Sequence, residues 1–290
     1  MCKHLTVARM EKLQRAYMQA TLIQRQYDEV IAENYDLDPQ QVTGNSLDRA
    51  LGHLEKIGIL NPEQPPLTVL DLGMGTGMFL ERLRERSHRE IRPFGIDLSS
   101  NMLRIARQKL PDLQAEVDDA ACFDDHFGDQ RFDLICTHFV TGFVAIEHLA
   151  PLVMKRLAPG GYWSFVGASK QAYPKLRRKS ESPVLRAFLG GGLDLSKMIC
   201  PDDLTHLTDV LSAESFETTM AECFEPELFF GSFHEFMEYA YTGGWLTPFI
   251  EELGLNRAGR AVRVLLDQLV FPISDHHSIL TGLFRKPLTA

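Results

Sequence analysis

The sequence contains no Cys-x-x-Cys pair, and its five cysteines (Cys2, Cys122, Cys136, Cys200 and Cys223) are an odd number. That usage excludes the common zinc ligand spacings, argues against a disulfide framework and fits a reducing, cytoplasmic compartment. No run approaches the ~20 apolar residues of a membrane span. The first ten residues lack the uninterrupted apolar stretch of a signal peptide. Basic residues are the minority charge: 30 Lys and Arg stand against 39 Asp and Glu, a formal net charge of -9. An acidic surface repels a phosphate backbone, so general nucleic-acid binding is disfavoured, although a local basic patch is still allowed. Internal repeats and low-complexity tracts are absent, and so is the Gly-Lys-Ser/Thr of a phosphate loop.

What is present is an ordinary globular composition, 44% hydrophobic and 24% charged over 290 residues. That length suits one large domain, or a core with an added cap. Residues 7–35 predict a helix, with Met10, Leu13, Tyr17, Met18, Leu22, Ile23, Tyr27, Val30 and Ile31 at three- and four-residue steps and no Gly or Pro. Gly44-Asn45-Ser46 offers a cap for a second helix over 47–57.

From residue 68 the pattern alternates. Strand-like runs at 68–72, 93–97, 113–117, 132–137 and 162–166 are separated by helical stretches at 78–86, 101–109 and 146–157. Such alternation predicts a doubly wound parallel sheet with helices on both faces. Pro159-Gly160-Gly161 reads as a turn. After residue 168 the regularity weakens. A basic cluster at 170–179 and a Gly190–Gly192 break come first, then a helix at 202–211 and a strand at 216–224. Three helices follow at 233–241, 246–253 and 261–270, and a strand pattern at 278–284 closes the chain.

The chemistry concentrates in the first half. Gly73, Gly75 and Gly77 sit at alternate positions between the first strand and its helix, where glycine allows positive φ and lets a ligand touch bare backbone. The third glycine comes one residue too early for the G-x-G-x-x-G dinucleotide fingerprint, and Met78 holds that place. Asp97 follows Gly77 by 20 residues, at the end of the next strand, where an acid accepts hydrogen bonds from ribose hydroxyls. Asp118-Asp119 ends the third strand, placed to accept from an exocyclic amine. Leu98 and Met102 flank Asp97 and suit the faces of a purine.

Together these residues resemble the class I S-adenosylmethionine-dependent methyltransferase family, in its small-molecule branch of quinone and carboxyl O-methyltransferases. Residues 69–77 (Val-Leu-Asp-Leu-Gly-Met-Gly-Thr-Gly) resemble the glycine motif. Residues 95–102 resemble the ribose motif, 118–120 the adenine motif, 132–135 the fourth strand and 157–161 the turn before the fifth. The resemblance implies a Rossmann-like seven-stranded sheet, mostly parallel with an antiparallel last strand, and S-adenosyl-L-methionine as cofactor. It also implies roles. Asp71 and Gly73 would face the methionine end, Gly75 and Gly77 would form the close-approach loop, and Asp97 would hold the ribose. Asp119 and the Ala120 amide would read adenine between Leu98 and Met102, and Thr137 would lie near the sulfonium. Tyr27 and Tyr35 lie on a segment similar to the N-terminal lid of small-molecule members and would touch cofactor or substrate, Tyr27 as a catalytic candidate and Tyr35 as a cofactor contact.

His138, just after the fourth strand, is the candidate general base, against the alternative of a buried histidine with a hydrogen-bond partner. Methyl transfer needs little acid-base chemistry, because positioning supplies much of the rate. His148 reads as a surface or packing residue on a helix. His276-His277 are adjacent, so their side chains diverge, and no metal site is expected. The Asn/Asp-Pro-Pro-Tyr/Phe of amino-group enzymes is absent after residue 136. Cys200-Pro201 runs in the reverse order to the Pro-Cys of cytosine C5 enzymes and lies outside the core, so that route is disfavoured too. The aromatic residues Phe229, Phe230, Phe233, Phe236, Tyr239, Tyr241 and Trp245 suit a hydrophobic cap. The expected organisation is therefore a helical lid at 1–60, a cofactor core at 61–225, a cap at 226–275 and a closing strand at 276–290. The expected partner is a small, hydrophobic or aromatic metabolite, free or carrier-bound. A non-catalytic cofactor-binding regulatory subunit and a protein or RNA methyltransferase are the alternatives, and the sequence leaves the acceptor atom and the oligomeric state open.

Overall fold

The computed structural model describes residues 21, 23–189 and 198–288. Residues 7–20 and 22 of the expected first helix, and the Gly190–Gly192 break, lie outside the described residues.

A seven-stranded sheet organises the chain. Its strands are β1 (Leu67–Leu72), β2 (Ile91–Asp97), β3 (Gln114–Val117), β4 (Phe132–His138), β5 (Leu157–Ala168), β6 (Glu217–Phe224) and β9 (Ile279–Arg285), in the order β3-β2-β1-β4-β5-β9-β6. The first five pair in parallel, whereas β9 runs antiparallel to both β5 and β6. This is the expected mostly parallel sheet with an antiparallel last strand.

Burial on both faces explains why the central strands read as continuous apolar runs. Val69, Leu134 and Cys136 face one layer, where they pack with Leu47, Leu51 and Leu54 of α1 (Val42–Lys56) and Phe79, Leu80 and Leu83 of α2 (Met78–Arg86). Leu70, Leu72 and Ile135 face the other. Their partners are Ile146, Leu149 and Val153 of α4 (Ile146–Arg156), the helix that follows α3 (Ser100–Lys109), and Leu207 and Leu211 of α7 (Leu204–Ala213). Each such side chain stabilises the fold by roughly 1.5–3 kcal/mol.

Local chemistry moved several boundaries. α1 begins at Val42 and not at residue 47, because the Asp38 carboxylate accepts from the amides of Thr43 (3.3 Å) and Gly44 (2.6 Å). Ser46, read as a cap, lies inside that helix and donates back to the Val42 carbonyl at 2.7 Å. The N-terminal segment is not one regular helix through residue 35. It passes through a π-helical turn at Tyr27–Ile31 and a 3-10 turn at Tyr35–Leu37. The basic stretch after β5 folds as α5 (Pro174–Ser180), whose first amides at Lys175 and Leu176 are accepted by the buried Asp275 carboxylate, and α6 (Pro183–Leu189) follows. Pro159-Gly160-Gly161 is absorbed into β5.

Between β6 and β9 the chain leaves the sheet. β7 (Glu227–Phe230) and β8 (Ile273–His276) pair antiparallel, with Phe230 opposite Ile273, and so bring the two ends of the excursion together. Neither strand was expected. They bracket α8 (Phe233–Met237), a π-helical turn at Glu238–Thr242, α9 (Thr247–Glu252) and α10 (Arg260–Leu269). No helix among the described residues is long and apolar enough to cross a membrane.

Candidate functional site

The order reverses between β1 and β4, and in open α/β sheets ligands bind beyond the strand ends at such a switch point. The glycine loop leaves β1 there. Gly73, Gly75 and Gly77 hold φ of 65°, 55° and 77°, a region L side chains rarely adopt. A Cβ on Gly73 would stand 2.5 Å from Val140 Cγ2, so the bare backbone of Gly73 makes room for the Val140 side chain that follows β4. A Cβ on Gly77 would meet Leu110 and Ala106 at 3.2 and 3.3 Å, so this glycine serves close packing of α2 on α3.

Asp97 ends β2 facing that loop. Its carboxylate accepts from the amides of Gly75 and Ser99, each at 2.8 Å. Burial pushes its pKa up to about 6 despite those two donors. Asp71, at the end of β1 and 2% exposed, is pushed well above the usual carboxylate range by burial and then by the nearby Asp97 charge. Two acids thus share one corner of the loop.

The N-terminal segment covers this corner. The Tyr35 ring lies 3.7 Å from the place of a Gly75 Cβ, and Met102 Sδ lies at 4.0 Å. Met102 packs with Ile31, Ala32, Tyr27 and Tyr35. Burial holds both tyrosine phenols protonated far above their ordinary range, aided by the Asp97 charge at Tyr27 and by Tyr27 and Asp38 at Tyr35. The segment is tied down on two sides. Asp28 accepts from the Asn101 amide (3.0 Å) and the Ser99 hydroxyl at the start of α3, while Gln24 donates to the Leu98 carbonyl (3.1 Å). On the other side Gln26 Nε2 donates to the Tyr241 carbonyl at 2.7 Å, and the Tyr27 ring meets Phe143 edge-on with centroids 6.0 Å apart.

At the end of β3, Asp118 and Asp119 separate by function. Asp118 Oδ2 pairs with His126 Nε2 at 2.8 Å, which lowers its pKa. Asp119 caps the 3-10 turn Ala120–Asp125 by accepting from the Ala121 amide at 2.8 Å. The His126 partner carried no sequence signal.

Two expectations at the end of β4 need correction. Thr137 is fully buried, and its hydroxyl accepts from the Trp163 indole at 2.9 Å, so it turns into the apolar layer and not toward a ligand. The His138 ring folds back along the sheet. Its Nε2 lies 3.0 Å from Ser164 Oγ, its ring packs edge-on to Phe79 at 4.2 Å, and burial lowers its pKa to about 3. An imidazole held so low is a weak proton acceptor at neutral pH, which removes the reason for naming it a general base. Its neighbour was missed: Phe139 adopts φ 62° directly after β4 and sets its ring against Trp245 at 4.9 Å. His148 is exposed, as expected. Among the described residues no group of three or more His, Cys, Asp or Glu side chains is placed to hold a metal ion.

Comparison with known proteins accords with this geometry. Residues 69–161 match the family model described as a methyltransferase domain. The trans-aconitate 2-methyltransferase of Delftia acidovorans is 30% identical over 138 residues, which is 46% of this chain and 51% of that protein. The chain therefore spans about half the length of this curated relative. The YcgJ protein of Bacillus subtilis superposes with a TM-score of 0.53 at 18% identity, covering 83% of this chain and 99% of its own. The plantazolicin methyltransferase BpumL, solved with a triazolic desmethylPZN analog and S-adenosylhomocysteine, gives 0.53 at 16% identity and covers 96% and 99%. These structures share the fold. Residues 69–161, the stretch that matches the methyltransferase-domain model, run from β1 into β5 of the seven-stranded sheet.

Proposed function

We propose that the chain transfers a methyl group from S-adenosylmethionine to a small, hydrophobic or aromatic metabolite. The observation that carries this reading is Asp97, a carboxylate at the end of β2 tied to the Gly75 amide beneath a tyrosine lid. The site fits the cofactor on three counts. The glycine loop offers bare backbone. The Asp71 and Asp97 acids suit the ammonium and the ribose hydroxyls. On the lid, Gln26 Oε1 is buried with no hydrogen-bond partner among the described residues, and leaving such an atom unpaired costs about 1–3 kcal/mol.

In this reading Asp71 and the Gly73 backbone face the methionine end and Gly75 allows close approach. Asp97 holds the ribose, and Asp119 with the Ala120 amide reads adenine between Leu98 and Met102. The bound cofactor supplies an activated methyl group on a sulfonium. The chain supplies orientation and exclusion of water. Tyr27 and Tyr35, held protonated, act as walls and hydroxyl donors and not as bases. Residues 226–275 cap the acceptor, and the segment ahead of α1 that carries Tyr27 and Tyr35 is the lid, while α1 itself packs in the core.

Calorimetry with S-adenosylhomocysteine tests the site. Wild-type protein should bind it, and Asp97→Ala should weaken binding by at least tenfold, since a hydrogen bond to a charged group is worth about 1.5–3 kcal/mol. Full affinity in the variant would sink the ribose role. Turnover is read as S-adenosylhomocysteine released with phenols, quinols and carboxylic acids. The acids belong in the panel because the curated relative is named for trans-aconitate.

A further inference from the structure

Past β4, the ligand edge holds a second polar cluster that no cofactor role uses. Tyr173 follows β5 and His277 precedes β9. Because β9 runs antiparallel to β5, its start lies at the same edge as the end of β5. Two backbone bonds join these ends, from the Ser169 amide to the Ser278 carbonyl and from the Tyr173 amide to the His276 carbonyl, each 2.9 Å. Tyr239 arrives from the π-helical turn of the excursion. The three polar heads meet. Tyr239 OH lies 2.8 Å from His277 Nδ1, and Tyr173 OH lies 3.1 Å from both that nitrogen and the Tyr239 hydroxyl. Tyr173, Tyr239 and His277 are only 2%, 3% and 1% exposed.

Aromatic rings wall the cluster toward the cofactor side. Trp245 stacks on Tyr239 with centroids 5.8 Å apart and meets His277 edge-on at 4.7 Å, and its other neighbour is Phe139 at the end of β4. The lid reaches the same wall, because Tyr27 OH lies 2.9 Å from the place of a Cβ on Gly244, the residue before Trp245. The cluster therefore sits between the end of β4, the lid and the excursion. Two further buried hydroxyls, Thr141 Oγ1 just after β4 and Thr247 Oγ1 just after Trp245, have no hydrogen-bond partner among the described residues.

We propose that Tyr173, Tyr239 and His277 form the polar subsite for the methyl acceptor, and that it selects a neutral hydroxyl-bearing ring, a phenol or quinol, over a carboxylate. The inference rests on the methyltransferase reading above. A hydroxyl both donates and accepts, so it extends a chain of phenol and imidazole groups without changing any charge. The cluster itself is uncharged, since burial lowers His277 to about 3 and raises both phenols. The charges that act on it are acidic: Asp275 on Tyr173, and Asp38 on Tyr239. A carboxylate entering here would give up its water and meet like charge. Rings on Phe139, Trp245 and Tyr239 match the flat faces of an aromatic acceptor.

The test uses the full chain saturated with S-adenosylhomocysteine, titrated in a calorimeter with 7-hydroxycoumarin, with coumarin (which lacks the hydroxyl) and with trans-aconitate. The hydroxylated ring should bind about tenfold tighter than coumarin, as one neutral hydrogen bond allows. Trans-aconitate should bind least. Tyr239→Phe should erase the hydroxyl preference while leaving coumarin and S-adenosylhomocysteine affinities unchanged, a pattern that general loosening of the fold would not give. Tyr173→Phe is the second variant, with the same expected loss. Equal or absent binding of the two coumarins, a preference for trans-aconitate, or a hydroxyl preference that survives both variants overturns the subsite. Absence of S-adenosylhomocysteine binding in wild-type protein would instead remove the methyltransferase reading beneath it.

Discussion

Asp97 does two things with one carboxyl group: it ties the glycine loop to β2, and it faces the proposed ribose site. Its pKa of about 6 stands above the ordinary 3.8, so the folded protein holds an extra proton between those values. The stability tied to that proton is fully present below pH 3.8 and is lost as pH rises through 6. In the proposed role, ribose hydroxyls donate to the ionised form, so cofactor binding would have the opposite preference. Below pH 6 the carboxyl must first release its proton, and S-adenosylhomocysteine affinity should fall by up to about tenfold per pH unit. Calorimetry at pH 5 and pH 7.5 should show weaker binding and proton release at the lower pH, with most of the dependence gone in Asp97→Asn. A flat affinity profile would exclude the role. The position of Asp97 was legible from its spacing to Gly77. The orientations of Thr137 and His138 were not, because period two assigns a face but not a partner. Trp163 and Ser164, 26 residues further along the chain, decide where those heads point.

At the scale of elements, β1, β2, β4 and β5 announced themselves because short apolar runs alternating with helical stretches leave few alternatives. Elements tied by distant partners were silent. α1 starts early because Asp38 reaches back over its amides, and β7 and β8 exist because each supplies the other's hydrogen bonds across more than forty residues. The N-terminal segment, the proposed lid, is of the same kind, since its seat is α3. Asp28 accepts from the Asn101 amide there and the Asn101 side chain returns a bond to the Asp28 carbonyl at 3.0 Å, while Ser99 separately caps α3 through the Met102 amide. Asp28→Ala should therefore spare α3 and loosen the lid. A lost cap of this type costs about 1 kcal/mol, or roughly 2–4 °C in a melt. The sharper effect should be a severalfold faster release of S-adenosylhomocysteine by stopped flow, with quicker proteolysis within residues 21–37. An unchanged release rate would mean the lid is not what retains the ligand.

For the whole molecule, the closing strand sets the constraint. β9 lies between β5 and β6, with Leu280, Leu283 and Phe284 at 1%, 0% and 0% exposure, so the sheet is incomplete until the chain has returned from its excursion. The alternation through residue 168 predicted the parallel part, whereas the place of β9 came from family resemblance. The excursion is nonetheless separable in principle, because Phe230 and Ile273 already stand opposite each other in the β7–β8 pair. Replacing residues 231–272 with an Asn-Gly turn would close that pair as a two-residue hairpin. Asp71, Asp97, Asp119 and the lid tyrosines all lie outside the excised residues, and the lid would lose the Gln26 bond to Tyr241 and the packing of Tyr27 and Ile31 against Gly244. The shortened protein should keep a native far-ultraviolet spectrum and still bind S-adenosylhomocysteine, about tenfold weaker for the lost hydrogen bond and somewhat more for the lost packing. It should turn over no acceptor, because Tyr239 and Trp245 are gone. A folded protein that no longer binds S-adenosylhomocysteine would show that the excursion builds the cofactor site itself, and would move residues 226–275 from the role of cap to that of core.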